Sequence, residues 1–138
     1  MTIKTAQEFV EVANDPRPEV YHRFSCDEIT DEAALEVIEK YPEEIGNLSG
    51  NETLSSRVIY RLYDHPEPRI RREMARKKNL TPDLFEKLSN DEDEAVRRIL
   101  TFHPNVPTEI LEKLCHDEWD ECAESAQRHL AERLAQQK

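Results

Sequence analysis

A shift of 26 residues lays the C-terminal half of this chain over itself. NLTPDLFEKLSNDEDE at 79–94 falls on NVPTEILEKLCHDEWD at 105–120. Asn79/Asn105, Glu86/Glu112, Lys87/Lys113, Leu88/Leu114, Asp91/Asp117, Glu92/Glu118 and His103/His129 are identical pairs. Apolar residues run in columns one unit further back: Leu54/Leu80/Val106, Val58/Leu84/Ile110, Ile59/Phe85/Leu111, Leu62/Leu88/Leu114, Ile70/Val96/Cys122 and Met74/Leu100/Ala126. Self-similarity at such a period means a chain built of copies of one small supersecondary unit.

The N-terminal half follows with slightly shorter units. DPRPEVYHRF at 15–24 matches HPEPRIRREM at 65–74 through Pro16/Pro66, Pro18/Pro68, Val20/Ile70 and Phe24/Met74. A degenerate unit between them puts Ile29, Ala34, Val37 and Ile45 on the same columns. The reading is about five units, 2–26, 27–52, 53–78, 79–104 and 105–130, followed by a polar cap at 131–138, all in one domain.

Each unit reads as two short helices. Thr5, Thr30, Ser55 and Thr81 stand where a first helix begins. Thr5 with Glu8 has the spacing of a capping box, and Pro82 sits where a missing N–H costs nothing. Leu80, Leu84 and Leu88, with Phe85, form one apolar stripe. The acidic run 90–94 makes the turn and places negative charge at the N-terminus of a second helix, where the helix dipole favours it. His103-Pro104 stops that helix. Helices of about ten residues bury little alone, so the units must stack. The expected fold is all-α: a right-handed α-solenoid of about five two-helix repeats of 25–26 residues.

Composition agrees with a thin fold. Hydrophobic residues are 37% and charged residues 36% of the 138, which suits much surface per residue. Two glycines, Gly46 and Gly50, are too few for turn-rich β structure or a glycine-rich phosphate loop. With no apolar run of about 18 residues, no membrane span is expected. The N-terminus lacks a basic-then-apolar leader, and three cysteines make no disulfide framework. A cytoplasmic monomer is expected.

The unit N-x-T-P-x-x-[LIF]-[LF]-E-K-L-x-x-D-x-x-x-x-V-R-R, ending in H-P, resembles the leucine-rich repeat variant, a relative of HEAT-type repeats. The resemblance is best over 53–130. It implies a right-handed superhelix used for binding, without catalytic residues in the motif. Some members carry an N-terminal iron–sulfur cluster on clustered cysteines. Only Cys26 stands in that part of this chain, so no cofactor is expected.

Charge is uneven. Residues 1–56 carry 4 basic and 13 acidic side chains, 57–78 carry 8 and 3, and 79–138 carry 7 and 14. The positive island holds Arg57, Arg61, Arg69, Arg71, Arg72, Arg76, Lys77 and Lys78, and Arg71/Arg72 recur as Arg97/Arg98. Such arginines grip carboxylates or phosphates in a partner, or else pair with acidic residues of adjacent units. Trp119, in HDEWDE, is either a partner anchor or a cover for the last repeat. The candidate partner-binding residues are therefore Arg69, Arg71, Arg72, Arg76, Arg97, Arg98 and Trp119. Cys115, His116, Cys122 and His129 lack zinc-ligand spacing, and Cys122 occupies a core column. No metal and no catalytic residue are expected. The function expected is a non-catalytic protein-binding module, of the size and charge of an inhibitor or immunity protein. The alternative is nucleic-acid or phosphate binding through the Arg/Lys ladder of 57–78, which the net charge of -11 disfavours.

Overall fold

The structure, a computed structural model, describes residues 1–137 and is mostly helical. The chain divides into two compact units, Met1–His65 and the remainder from Pro66. The division falls within the third repeat.

The first unit contains α1 (Ala6–Ala13), α2 (Pro18–Tyr21), α3 (Arg23–Cys26), α4 (Asp31–Lys40), a 3-10 turn (Pro42–Glu44), α5 (Ile45–Ser49) and α6 (Ser56–Leu62). The second contains α7 (Pro68–Ala75), α8 (Pro82–Ser89), α9 (Glu94–Thr101), α10 (Thr108–Leu114) and α11 (Asp120–Gln136). Equivalent helices pack on one another inside each unit: α1 on α4 and α4 on α6, α3 on α5, then α7 on α9, α9 on α11 and α8 on α10.

The helix starts follow local chemistry. Thr5, Thr30, Ser55 and Thr81 each accept, through the side-chain hydroxyl, the amide three residues ahead, at 3.1 to 3.4 Å. This satisfies an amide that the first turn leaves open. The Glu8 carboxylate lies 3.6 Å from Arg23. In the last repeat the Thr81-Pro82 order is inverted to Pro107-Thr108, and α10 starts without a side-chain cap. Leu62, Leu88 and Leu114 are all buried, as are most residues of the other columns; Leu80, Val20 and Phe24 are half-buried.

Three features depart from the sequence reading. Thr2–Ile3 and Glu28–Ile29 form a short parallel pair, β1 and β2. Both precede a first helix in extended geometry, and β-branched Ile3 and Ile29 suit that backbone. Second, the second helix is broken in the early repeats. It is α2 and α3 in the first, a break the sequence does not signal. In the stretch Tyr41–Glu52, whose two glycines interrupt the pattern and already point to a bent or looped second helix, it is a 3-10 turn followed by α5. Third, residues 131–136 are the continuation of α11 and not a separate cap. Lys138 lies outside the described residues.

A polar column runs beside the apolar ones. Asn51 is fully buried. Its amide donates to the Phe24 and Asp27 carbonyls at 2.8 and 3.0 Å, and its carbonyl accepts from the Thr53 amide and hydroxyl at 2.8 and 2.7 Å. Two periods later stands His103, also buried. Its Nδ1 accepts from the Asn105 amide at 3.0 Å, so Nε2 carries the proton and donates to the Lys77 carbonyl at 2.7 Å. Each side chain ties a carbonyl of the preceding repeat to the amide two residues ahead of itself.

Neither glycine uses a left-handed backbone. A Cβ at Gly50 would meet the Asn47 carbonyl at 3.4 Å and the Phe24 ring at 3.5 Å, ordinary contact distances. Gly50→Ala should therefore raise stability by roughly 0.4–1 kcal/mol by narrowing the unfolded ensemble. A fall in the urea midpoint of that variant would show that the site has no room.

Candidate binding face

The repeated arginines divide into two sets. Arg71 and Arg97 look inward. Arg71 places Nε and Nη2 on the two oxygens of Asp91 at 2.8 and 3.2 Å, and Nη1 donates to the Pro66 carbonyl. Arg97 does the same one period later, with Asp117 at 2.7 and 3.1 Å and Nη1 on the Asp91 carbonyl at 2.8 Å. The four side chains are 6–11% exposed. Asp91 and Asp117 also accept the amide two residues ahead, from Asp93 and Trp119, so each closes its own turn while holding the arginine of the previous repeat. Burial pushes the Asp117 carboxyl up, but the Arg97 guanidinium and the Trp119 amide outweigh it and hold the group below its ordinary value. These two arginines are structural ties.

Arg72 is tied as well. It lies 2.8 Å from Asp93, whose other oxygen caps α9 at the Ala95 amide. Burial raises the Asp93 carboxyl, and the Ala95 amide and Arg72 together leave it lowered. Arg69 is exposed beside Glu67 at 3.5 Å, and Arg76 pairs with Glu73 at 3.1 Å. Trp119 is half-buried at the N-cap of α11.

Arg98 breaks this pattern. By the 26-residue period its counter-ion should stand where Asp93 stands for Arg72, and that position is Trp119. The Arg98 guanidinium lies instead 5.2 Å from the centroid of the Phe102 ring. Arg128, one period beyond Phe102, lies 5.9 Å from the same ring. Its equivalent, Arg76, has Glu73 three residues back, whereas Arg128 has Ser125, which bonds Thr101 at 2.6 Å. Among the described residues neither Arg98 nor Arg128 has a carboxylate within 4 Å. Phe102 is 47% exposed and packs edge-on against His129, with centroids 4.6 Å apart. A groove of about 360 Å³ adjoins it, lined by Ala75, Arg76, Arg98, Ile99, Phe102 and His103.

This face thus joins an exposed aromatic, an apolar groove and cations whose counter-ions the repeat has lost. It can hold an anionic group beside an apolar one. Arg76 and Arg98 belong to the residues expected from sequence. Phe102 and Arg128 do not, although the column Arg76/Phe102/Arg128 is visible once the 26-residue shift is applied.

The cysteines offer no reactive thiolate at the cluster considered above. Burial, reinforced by the Asp117 charge, pushes the Cys122 thiol up to about 12, and burial also raises Cys115. Among the described residues no group of three or more His, Cys, Asp or Glu is placed to hold a metal ion, and no helix is long and apolar enough to cross a membrane. Comparison with protein families, curated proteins and solved structures returns no match for this chain.

Proposed function

We propose that this chain is a protein-binding module without catalysis, and that its recognition surface is the second-helix face around Phe102. The observation that carries this reading is the pair Arg98 and Arg128 on one exposed ring, with no carboxylate within 4 Å among the described residues. In a chain with 30 acidic and 19 basic residues, counter-ions are abundant. Arginine and exposed aromatics are the residues that concentrate binding energy at protein interfaces. The repeat pattern supports placing the chain among right-handed helical solenoids related to the leucine-rich repeat variant, folds whose rigid faces serve recognition. An intracellular inhibitor-type role accords with that reading.

Affinity capture from cell extract, read by mass spectrometry, tests the face. With Arg98→Glu/Arg128→Glu as bait, proteins held by the natural chain should be lost, while circular dichroism stays unchanged. Identical captured sets from both baits would remove this face from the function. Nucleic acid is addressed separately, by mobility shift at about 50 mM salt, where phosphate contacts are strongest. No shift is expected.

A further inference from the structure

Resting on that reading, we infer that the face takes an acidic protein segment with one apolar side chain, the carboxylates at Arg98 and Arg128 and the apolar group in the groove beside Phe102. The carboxylate assignment comes from the repeat. Arg72 is satisfied by Asp93 and Arg76 by Glu73; one period on, Trp119 stands at the position of Asp93, and two periods on, beside Arg128, Ser125 stands at the position of Glu73. What the fold supplies internally at one level, a ligand supplies at the next. Arginine presents a planar fork that matches a carboxylate in two bonds, as Arg71 and Arg97 already do with Asp91 and Asp117.

The apolar component follows from the floor. Ala75, Ile99 and Phe102 line the groove, and its volume of about 360 Å³ admits a leucine-sized side chain. A bare polyanion leaves that surface wet. Charge favours a short acidic segment over a nucleic acid. Residues 66–138 carry 13 basic and 16 acidic side chains, and residues 1–65 carry 6 and 14. A long phosphate chain meets that negative surplus. A few carboxylates within a Debye length of about 8 Å meet chiefly the local arginines.

The probe is a labelled peptide, acetyl-Glu-Asp-Glu-Leu-Glu-Asp-Glu-amide, titrated against the full chain by fluorescence anisotropy. Binding should weaken about tenfold or more, equivalent to about 1.4 kcal/mol, with Phe102→Ala or Arg128→Ser. It should be unchanged with Arg61→Ser, an exposed cation in the first unit. Changing the central Leu of the peptide to Ser should weaken it by a similar factor. Circular dichroism of each variant confirms folding, and Arg98→Lys, which keeps charge but not the fork, gives a gentler second variant with an intermediate loss. Equal binding of the Ser peptide would overturn the apolar anchor. Tighter binding of a single-stranded oligonucleotide, or self-association by sedimentation that Arg128→Ser abolishes, would replace the acidic segment by nucleic acid or by a second copy. Capture that depends on Arg98 and Arg128 while this peptide fails to bind would overturn the acidic chemistry and leave the protein-binding reading standing.

Discussion

Replacing Arg97 with Met should destabilise the protein by about 3–5 kcal/mol, because it leaves the Asp117 carboxylate buried without its cation. The pair is 11% and 6% exposed, and the carboxylate also accepts the Trp119 amide in the turn before α11. Urea unfolding followed by circular dichroism reads the change. Arg97→Met/Asp117→Asn should recover most of the loss, since a neutral amide oxygen still accepts the Trp119 amide while the stranded charge is gone. A single variant that costs under about 1 kcal/mol would place the pair with ordinary surface ion pairs.

The same pair sets an acid limit. The Asp117 carboxyl is held below its ordinary value of 3.8 in the folded chain, as is that of Asp93. A carboxyl lowered by folding adds stability that is complete above its unfolded pKa and is lost as the pH falls through the folded one. Stability should therefore hold from neutrality down to the ordinary carboxylate range and fall below it. The fall should be shallower in Arg97→Met/Asp117→Asn, which removes one of the two groups. Equal slopes for the two proteins would exclude Asp117 as a contributor.

Asn51→Ala is the second large effect expected, a loss of about 3 kcal/mol. Four hydrogen bonds end on this side chain, at 2.7 to 3.0 Å, and it is fully buried. Removing it strands the Phe24 and Asp27 carbonyls and the Thr53 amide in part-buried surroundings, and each buried orphan costs about 1–3 kcal/mol, less what local relaxation returns. Asn51→Asp tests the cause: the carboxylate accepts from Thr53 but cannot donate to the two carbonyls, so it should be at least as destabilising. Thermal unfolding that leaves Asn51→Ala within about 2 °C of the natural protein would show that water replaces the amide.

The helix starts were readable because an N-cap is a local event. A hydroxyl at Thr5, Thr30, Ser55 or Thr81 and an amide three residues on are enough. The core columns were readable because the 26-residue period repeats the same apolar positions. The broken second helix at Tyr41–Glu52 was signalled by its glycines, but the 3-10 turn and the role of Asn51 were not. An asparagine in a glycine-rich stretch looks like a loop residue until Phe24 and Asp27 are brought to it from 27 and 24 residues away.

The arginines show the same boundary most sharply. Arg71, Arg72, Arg97 and Arg98 are indistinguishable as residue types in a doubled motif. Periodicity and capping chemistry assign the helices and their buried stripe, since both depend on neighbours along the chain. Which guanidinium is a structural tie and which is free to bind depends on a carboxylate about 20 residues away. Packing brings Asp91, Asp93 and Asp117 to three of them and sets Trp119 at the position equivalent to the fourth's counter-ion. Long-range charge pairing is decided by the folded backbone, because only there do residues a repeat apart come within hydrogen-bonding distance.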